Sequence, residues 1–224
     1  MMKDIKIIDF NTLAYLEALK LQEIYFEKVL EEKNNCEGHR TEFLLIGEHN
    51  PVITIGRRGK DSNILIPEKS LHDKGIGIYK ITRGGDVTYH CPGQLMVYPI
   101  LDLELHRIRV KDYVYLLEES IITLLSNYGI KGEREAGATG VWIGKGLEKE
   151  RKICAIGVKC SRFCTMHGLA LNVNADLDGF SFINPCGFTD KGVTSMNLEL
   201  DRKINMQDIK KEFSDIFLSL IFSL

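Results

Sequence analysis

Asn184-Pro185-Cys186-Gly187 sets a cysteine between a proline and a glycine. Proline fixes one backbone dihedral and glycine admits angles closed to other residues, so this stretch predicts a rigid turn holding a thiol at a surface. Such a thiol becomes a nucleophile when a cation beside it favours the thiolate. Lys152 opens the apolar run Lys152-Ile153-Cys154-Ala155-Ile156-Gly157-Val158 and is the cation assigned here to Cys186. Strand alternation puts Lys152, Cys154 and Ile156 on one face and Ile153, Ala155 and Gly157 on the other. Without Cys186, a solvent-facing lysine at a strand edge is the better account of Lys152.

A second constellation is Arg83-Gly84-Gly85-Asp86-Val87-Thr88-Tyr89-His90. Paired glycines expose backbone N–H groups and let a ligand approach the main chain. Thr88 and His90 add polar side chains, a set that suits a carbonyl or phosphate. Taken alone, the stretch reads equally as a tight turn before a strand. Gly56-Arg57-Arg58-Gly59-Lys60 is a basic loop, for which a solvated loop is a simpler account than an anion site. In Met166-His167-Gly168-Leu169-Ala170-Leu171-Asn172-Val173, Gly168 and Ala170 leave room beside a strand, and His167 reads as a structural histidine.

The six cysteines, Cys36, Cys91, Cys154, Cys160, Cys164 and Cys186, come without an export signal and read mostly as free thiols. Cys160-x3-Cys164 lacks the second ligand pair of a zinc site, so no metal is expected. Of 224 residues, 44% are hydrophobic and 27% charged, and 29 Lys and Arg against 31 Asp and Glu leave a net charge of −2. That length suits one domain over residues 1–224 with a sizeable core. No basic excess points to a nucleic acid. No apolar run reaches the roughly 18–20 residues that span a bilayer. The N-terminal residues resemble neither a signal peptide nor a transit peptide, so a cytoplasmic location without membrane attachment is expected.

Patterning places strands at residues 5–10, 42–46, 52–55, 77–82, 94–100 and 140–143. Paired strands are expected at residues 152–158 and 166–173, joined by residues 159–165. Residues 47–51 read as a turn. Helices are expected over residues 13–32 with Asn11 or Thr12 as the cap, over 68–74 and 111–128, and from about residue 206 with Asn205 as the cap. Short strands interrupted by a few long helices predict an α+β domain on a mixed or antiparallel sheet flanked by helices.

Four motifs stand in order along the chain. They are Arg83-Gly84-Gly85-x-x-Thr88-x-His90-x-Pro92-Gly93-Gln94, then Lys152-Ile153-x-x-Ile156-Gly157, then His167-Gly168-Leu169-Ala170-Leu171-Asn172, and last Pro185-Cys186-Gly187 followed by Val193-Thr194-Ser195. Together, over residues 48–196, they resemble the lipoyl(octanoyl) transferases of protein lipoylation. The resemblance implies an α/β sheet core similar to the catalytic fold of biotin and lipoate protein ligases. It implies transfer of an octanoyl group from octanoyl-acyl carrier protein to a lysine of lipoyl domains, in 2-oxoacid dehydrogenases and the glycine cleavage H protein, without a cofactor. By motif match, Cys186 carries the acyl group as a thioester and Lys152 is the general acid and base. Arg83 through His90, with Ala155, Ile156, Gly157, Gly168, Leu169 and Ala170, then line the substrate site. Cys91 stands where the family commonly has glycine, so its loop must adopt ordinary backbone angles there. At about 0.8 kcal/mol per buried CH₂, an apolar tunnel gains roughly 5 kcal/mol from the chain beyond the carbonyl.

Other readings stay open on the sequence. An ATP-dependent lipoate- or biotin-type ligase shares the implied fold but activates its acid as an adenylate and needs no cysteine; the Pro-Cys-Gly turn speaks against it. A non-catalytic protein that binds acyl carrier or lipoyl domains has no need of both Cys186 and Lys152. A cysteine hydrolase would release free acid faster than it acylates a lipoyl domain.

Overall fold

A computed structural model describes residues 3–35, 40–145, 150–184 and 192–224. The chain opens with β1 (Lys3–Leu13), α1 (Tyr15–Asn35), β2 (Arg40–His49) and β3 (Val52–Ile55). Next come α2 (Glu68–Asp73), β4 (Gly77–Lys80), β5 (Val87–His90), β6 (Gln94–Ile100) and α3 (Val110–Asn127). Then follow β7 (Glu133–Glu135), β8 (Ala138–Ile143), β9 (Arg151–Ser161) and β10 (Cys164–Asn172), and after them β11 (Gly192–Val193), α4 (Met196–Leu200) and α5 (Met206–Phe222).

The large sheet runs β1-β2-β6-β10-β9-β8-β7, with β11 added beside β9. Only the β1–β2 and β11–β9 pairs are parallel; the others are antiparallel. Both faces of its central strands are covered, which is why Phe43-Leu44-Leu45-Ile46 reads as an unbroken apolar run. Leu44 and Ile46 pack with Tyr113, Leu117 and Ile121 of α3 and Phe213 and Phe217 of α5. Phe43 and Leu45 pack on the opposite face with Ala18, Phe26 and Val29 of α1. A second sheet, β4-β3-β5, has its own small core of Ile53, Leu71, Ile76 and Tyr89. The result is the expected mixed α+β architecture.

Several boundaries differ from the sequence reading. Neither Asn11 nor Thr12 caps α1, because β1 runs on to Leu13. Asn11 takes a left-handed φ of 54° and donates its N–H to Asp9 Oδ1 at 2.8 Å. Glu17 instead accepts the Ala14 N–H, at 3.3 Å. Residues 47–49 continue β2 rather than turning, and Asn50-Pro51 alone separate it from β3. The hairpin joining β9 to β10 is tighter than expected. Its two turn residues, Arg162 and Phe163, both have positive φ (50° and 62°), the mirror-image turn that matches strand twist without the usual Asn-Gly. Asn205 does cap α5, accepting the Gln207 N–H at 2.9 Å. Among the described residues, no helix is long and apolar enough to cross a membrane.

Candidate active site

A cavity of about 350 Å³ lies between the α1 side of the large sheet and the small sheet. Its floor is built from facing small residues: Ala155 of β9 stands opposite Ala170 of β10, and Gly157 opposite Gly168. Met96 and Tyr98 of β6 extend the floor. Glycine is required at 168, where a Cβ would overlap the Val97 carbonyl of the neighbouring strand. At 157 a Cβ would lie 2.7 Å from the Gly84 carbonyl, which the Arg83–Gly85 loop lays over the strand.

Two backbone irregularities bring polar side chains into this apolar floor. In the β8–β9 pair, Val141 faces Cys154 and Trp142 faces Lys152, so β9 carries one extra residue at this point. Such a bulge reverses the alternation on one side of it. Ile153 and Cys154 are therefore both buried in the helix-covered core, and Lys152 joins Ala155 and Gly157 at the cavity. This corrects the simple alternation, which grouped Lys152 with Cys154 and Ile156. Lys152 Nζ donates to the Thr139 carbonyl at 3.3 Å and lies 4.6 Å from the centre of the Trp142 ring.

The second irregularity is His167, at φ 60° in the middle of β10. The pairing of β10 with β6 ends at Leu169–Val97, two residues short of it, and the Pro99 carbonyl accepts from Thr165 Oγ1 at 2.8 Å. The His167 N–H turns instead to Gln22 Oε1 of α1, at 3.1 Å. Its ring lines the cavity, 3.5 Å from Thr82 Oγ1.

A chain of hydrogen bonds ties the roof to the far wall. Arg83 Nη2 donates to the Thr54 carbonyl at 2.8 Å and to Thr54 Oγ1 at 3.0 Å. Thr54 Oγ1 lies 3.4 Å from His90 Nε2, and His90 Nδ1 lies 3.1 Å from Gln94 Oε1. Gln94 donates to Asn172 Oδ1 at 2.9 Å, and Asn172 donates to the Thr194 carbonyl at 2.8 Å. Thr194 N–H closes the chain on the Lys152 carbonyl at 3.0 Å. Beside it, His49 Nδ1 meets the Leu13 carbonyl at 3.0 Å and Nε2 meets the Tyr98 hydroxyl at 2.6 Å. With Nδ1–H donating, Nε2 accepts from the tyrosine.

Burial, reinforced by the His49 and Arg83 charges, pushes His90 down to about 3. Burial pushes His49 down to about 4, and burial followed by Arg83 and Lys159 pushes His167 down to about 3. All three histidines are therefore neutral around the cavity at pH 7. Their folded pKa values lie below the unfolded value of about 6.5, so the unfolded chain binds protons first. Their contribution to stability is full above about pH 6.5 and is lost as pH falls toward 4. The melting temperature should accordingly drop between pH 7 and pH 5 in a thermal unfolding series; a flat melting temperature over that interval would contradict the neutral assignment.

The family model of the lipoyl protein ligase A/B catalytic domain matches residues 14–218. The chain belongs to this family. An octanoyltransferase of Parabacteroides distasonis is 50% identical over 98% of this chain and 99% of its own. Among solved structures, a bipartite lipoate protein ligase from Thermoplasma acidophilum aligns with a TM-score of 0.69 at 14% identity, over 99% of this chain and 84% of that one. A biotin protein ligase from Aquifex aeolicus aligns with a TM-score of 0.52 at 11% identity, over 98% and 71%. The structural likenesses show that the chain shares the expected sheet core of biotin and lipoate ligases.

Within this family member, Arg83, Gly85, Asp86, Val87, Thr88 and His90 line the cavity, as do Lys152, Ala155, Ile156, Gly157, Gly168, Leu169 and Ala170. Two of the expected substrate-site residues do not. Tyr89 points away from it, into the core of the small sheet, edge-on to Phe180 at 5.7 Å. Gly84 gives its N–H to the Val158 carbonyl at 2.9 Å. Cys186 lies outside the described residues, as does Cys36. The described residues flanking Cys186 do reach the site. Asn184 N–H donates to the Asn63 carbonyl at 2.8 Å, and Asn63 Nδ2 donates to Asp86 Oδ2 at 2.8 Å. On the other side, Val193 lines the cavity and pairs with Lys152.

The Arg57–Gly59 amides are used internally: Arg57 N–H by the Arg83 carbonyl, Arg58 N–H by that of Gly85, and Gly59 N–H by that of Gly56. Only the Arg58 residue of that loop reaches the cavity. Gln94 and Asn172, which the sequence offered only as motif members, also line it, and so do Tyr15, Met96, Tyr98 and Thr139, which were not singled out. Alternation along residues 94–100 carried a signal for Gln94, Met96 and Tyr98. Tyr15 carried none beyond its place in a helical stripe. Cys91 has no positive φ, is 2% exposed, and donates Sγ–H to the Asp176 carbonyl at 3.4 Å, so the loop takes a side chain there.

Proposed function

We propose that this chain moves an octanoyl group from octanoyl-acyl carrier protein, through a thioester on Cys186, to a lysine of a lipoyl domain. The observation that carries this reading is the cavity itself: an apolar, glycine-floored slot with a lysine amine at one end. Lys152 and Thr139 belong to β9 and β8, whereas Met96 and Tyr98 belong to β6, three strand steps from β8. Three steps cover about 14 Å, and an extended octanoyl chain needs about 9 Å by bond geometry. The octanoyltransferase name of the close relatives supports the acyl group assigned.

In the first step the Cys186 thiolate attacks the donor's thioester carbon. A carbon–sulfur bond forms to Cys186 and the one to the carrier's thiol breaks, and the departing thiolate takes a proton from the Lys152 ammonium. Exchange of one thioester for another is nearly isoenergetic. In the second step a neutral acceptor lysine attacks the Cys186 thioester. A carbon–nitrogen bond forms, Cys186 leaves as thiolate, and Lys152 takes the proton from nitrogen. Amide formation drives the sequence, so no nucleotide is consumed. The cavity histidines are neutral and add no charge beside the pair, and the apolar part of the lining strengthens the ammonium–thiolate attraction.

On this reading the whole chain acts as one catalytic domain in the cytoplasm, with lipoyl domains of 2-oxoacid dehydrogenases and the glycine cleavage H protein as acceptors. The test is to supply octanoyl-carrier protein and a lipoyl domain without ATP, and to follow both proteins by intact mass. Octanoylated lipoyl domain, preceded by a transient octanoyl adduct on the enzyme, is expected. Product formed only from free octanoate plus ATP would reject the transferase, and free octanoate without labelled lipoyl domain would indicate a hydrolase.

A further inference from the structure

Lys152 does not stand alone on its strand. Trp142 faces it directly across the β8–β9 pair. The indole is 2% exposed, and its Nε1–H donates to the Ala138 carbonyl at 2.9 Å, which fixes the ring plane. The Lys152 ammonium lies 4.6 Å from the ring centre, and Thr139 O accepts from it at 3.3 Å. Beside them Gly140 admits no side chain, because a Cβ there would overlap the Cys154 carbonyl of β9. Of the aromatic rings, indole binds a cation best, and burial strengthens the attraction.

We propose that Trp142 is a positioning residue for Lys152: its indole face, with the Thr139 carbonyl, holds the ammonium at the cavity end where the thiol chemistry takes place. The proposal deepens the transferase reading and rests on Lys152 being its acid and base. The bulge supplies the reason for the pairing. By moving Lys152 to the cavity face it also sets the amine against the one tryptophan of the chain. Among the described residues, charged and titratable groups face this pair from several elements. From β9 itself come the buried Cys154 thiol, which feels the Lys152 charge, and Arg151, which is held by Glu199 of α4 at 3.0 Å. From α3, Glu118 accepts the Gly140 N–H at 3.1 Å and pairs with Arg134 at 3.1 Å. Arg58, Arg83 and Asp86 line the cavity from the small-sheet side.

A held ammonium gives up its proton at higher pH than one without the ring. The experiment is to titrate the Lys152 amine by NMR in protein carrying ¹³Cε-lysine, with Lys152→Ala to assign the signal, in the parent and in Trp142→Phe and Trp142→Leu. The pH profile of octanoyl adduct formation is measured on the same proteins. Trp142→Leu should lower the Lys152 midpoint by about half a pH unit or more, with Trp142→Phe between it and the parent. The limb of the pH profile that belongs to the lysine should move down with it. If Trp142→Leu fails to fold, Trp142→Phe against the parent decides in the same way. An unchanged Lys152 midpoint, even with a slower enzyme, overturns the proposal, because it leaves the indole as strand packing alone. A midpoint that moves while the rate profile does not upholds the contact and instead refutes the acid–base role of Lys152.

Discussion

Replacing Cys186 with alanine is expected to abolish both the octanoyl adduct and octanoylation of a lipoyl domain, by at least about a thousandfold in rate. Without the sulfur, the acceptor amine must attack the carrier-bound thioester directly, so donor and acceptor must occupy one slot together. No described cysteine offers a substitute, since none lines the cavity. Burial and Asp176 push the Cys91 thiol up to about 11, and burial and Asp102 push that of Cys164 up to about 12. Cys154 and Cys160 are pushed up as well, chiefly by burial. A low-pKa nucleophile must therefore come from elsewhere in the chain. The check is intact mass and product formation with octanoyl-carrier protein. A Cys186→Ala enzyme that kept a tenth of the parent rate would remove the thioester intermediate from the mechanism.

Replacing Lys152 with alanine should slow acylation of Cys186 by about a hundredfold to ten-thousandfold at pH 7, the range of a positioned acid–base group. On the proposed mechanism the amine serves twice, favouring the thiolate before attack and protonating the leaving thiolate afterwards. Its loss leaves a thiol near the ordinary value of about 8.5, so little thiolate exists at neutral pH. The variant's rate should therefore climb steeply between pH 7 and pH 9, narrowing its gap to the parent. Structure should survive, because Lys152 is only partly buried and its strand is held by β8, β10 and β11 through the backbone. Adduct formation across that pH range measures both effects. Equal rates for the two proteins at pH 7 would end the acid–base assignment.

Alternation, glycine placement and helical stripes carried most of the architecture: the β9–β10 pair, α3, the capped α5 and the room left by Gly168 and Ala170 were all legible. What alternation misjudged is instructive. It assumes an unbroken ladder, and the ladder is broken where chemistry enters. Lys152 changes face because β9 holds one residue more than β8 requires. His167 enters the cavity where β10 leaves its ladder with β6 and Gln22 takes its amide instead. Neither event shows in a residue's own type: each depends on a partner strand far away in the chain. The second sheet was hidden for a related reason. Val87–His90 looked like part of a glycine-rich turn until β3 paired with it. Asn11 misled in the opposite way, since its tolerance of left-handed angles served a kink within β1 rather than a helix cap.

The extra residue in β9 also bears on how such chains can diverge. One residue inserted between Val141 and Trp142 would leave every functional side chain in place by name and keep each motif readable. Yet it would give Ile153 a partner and restore the ladder's phase, and the ammonium would then point into the oil beneath α3 and α5. In this strand pair an insertion of one codon is a graver change than many substitutions, although nothing in the inventory of residues would betray it.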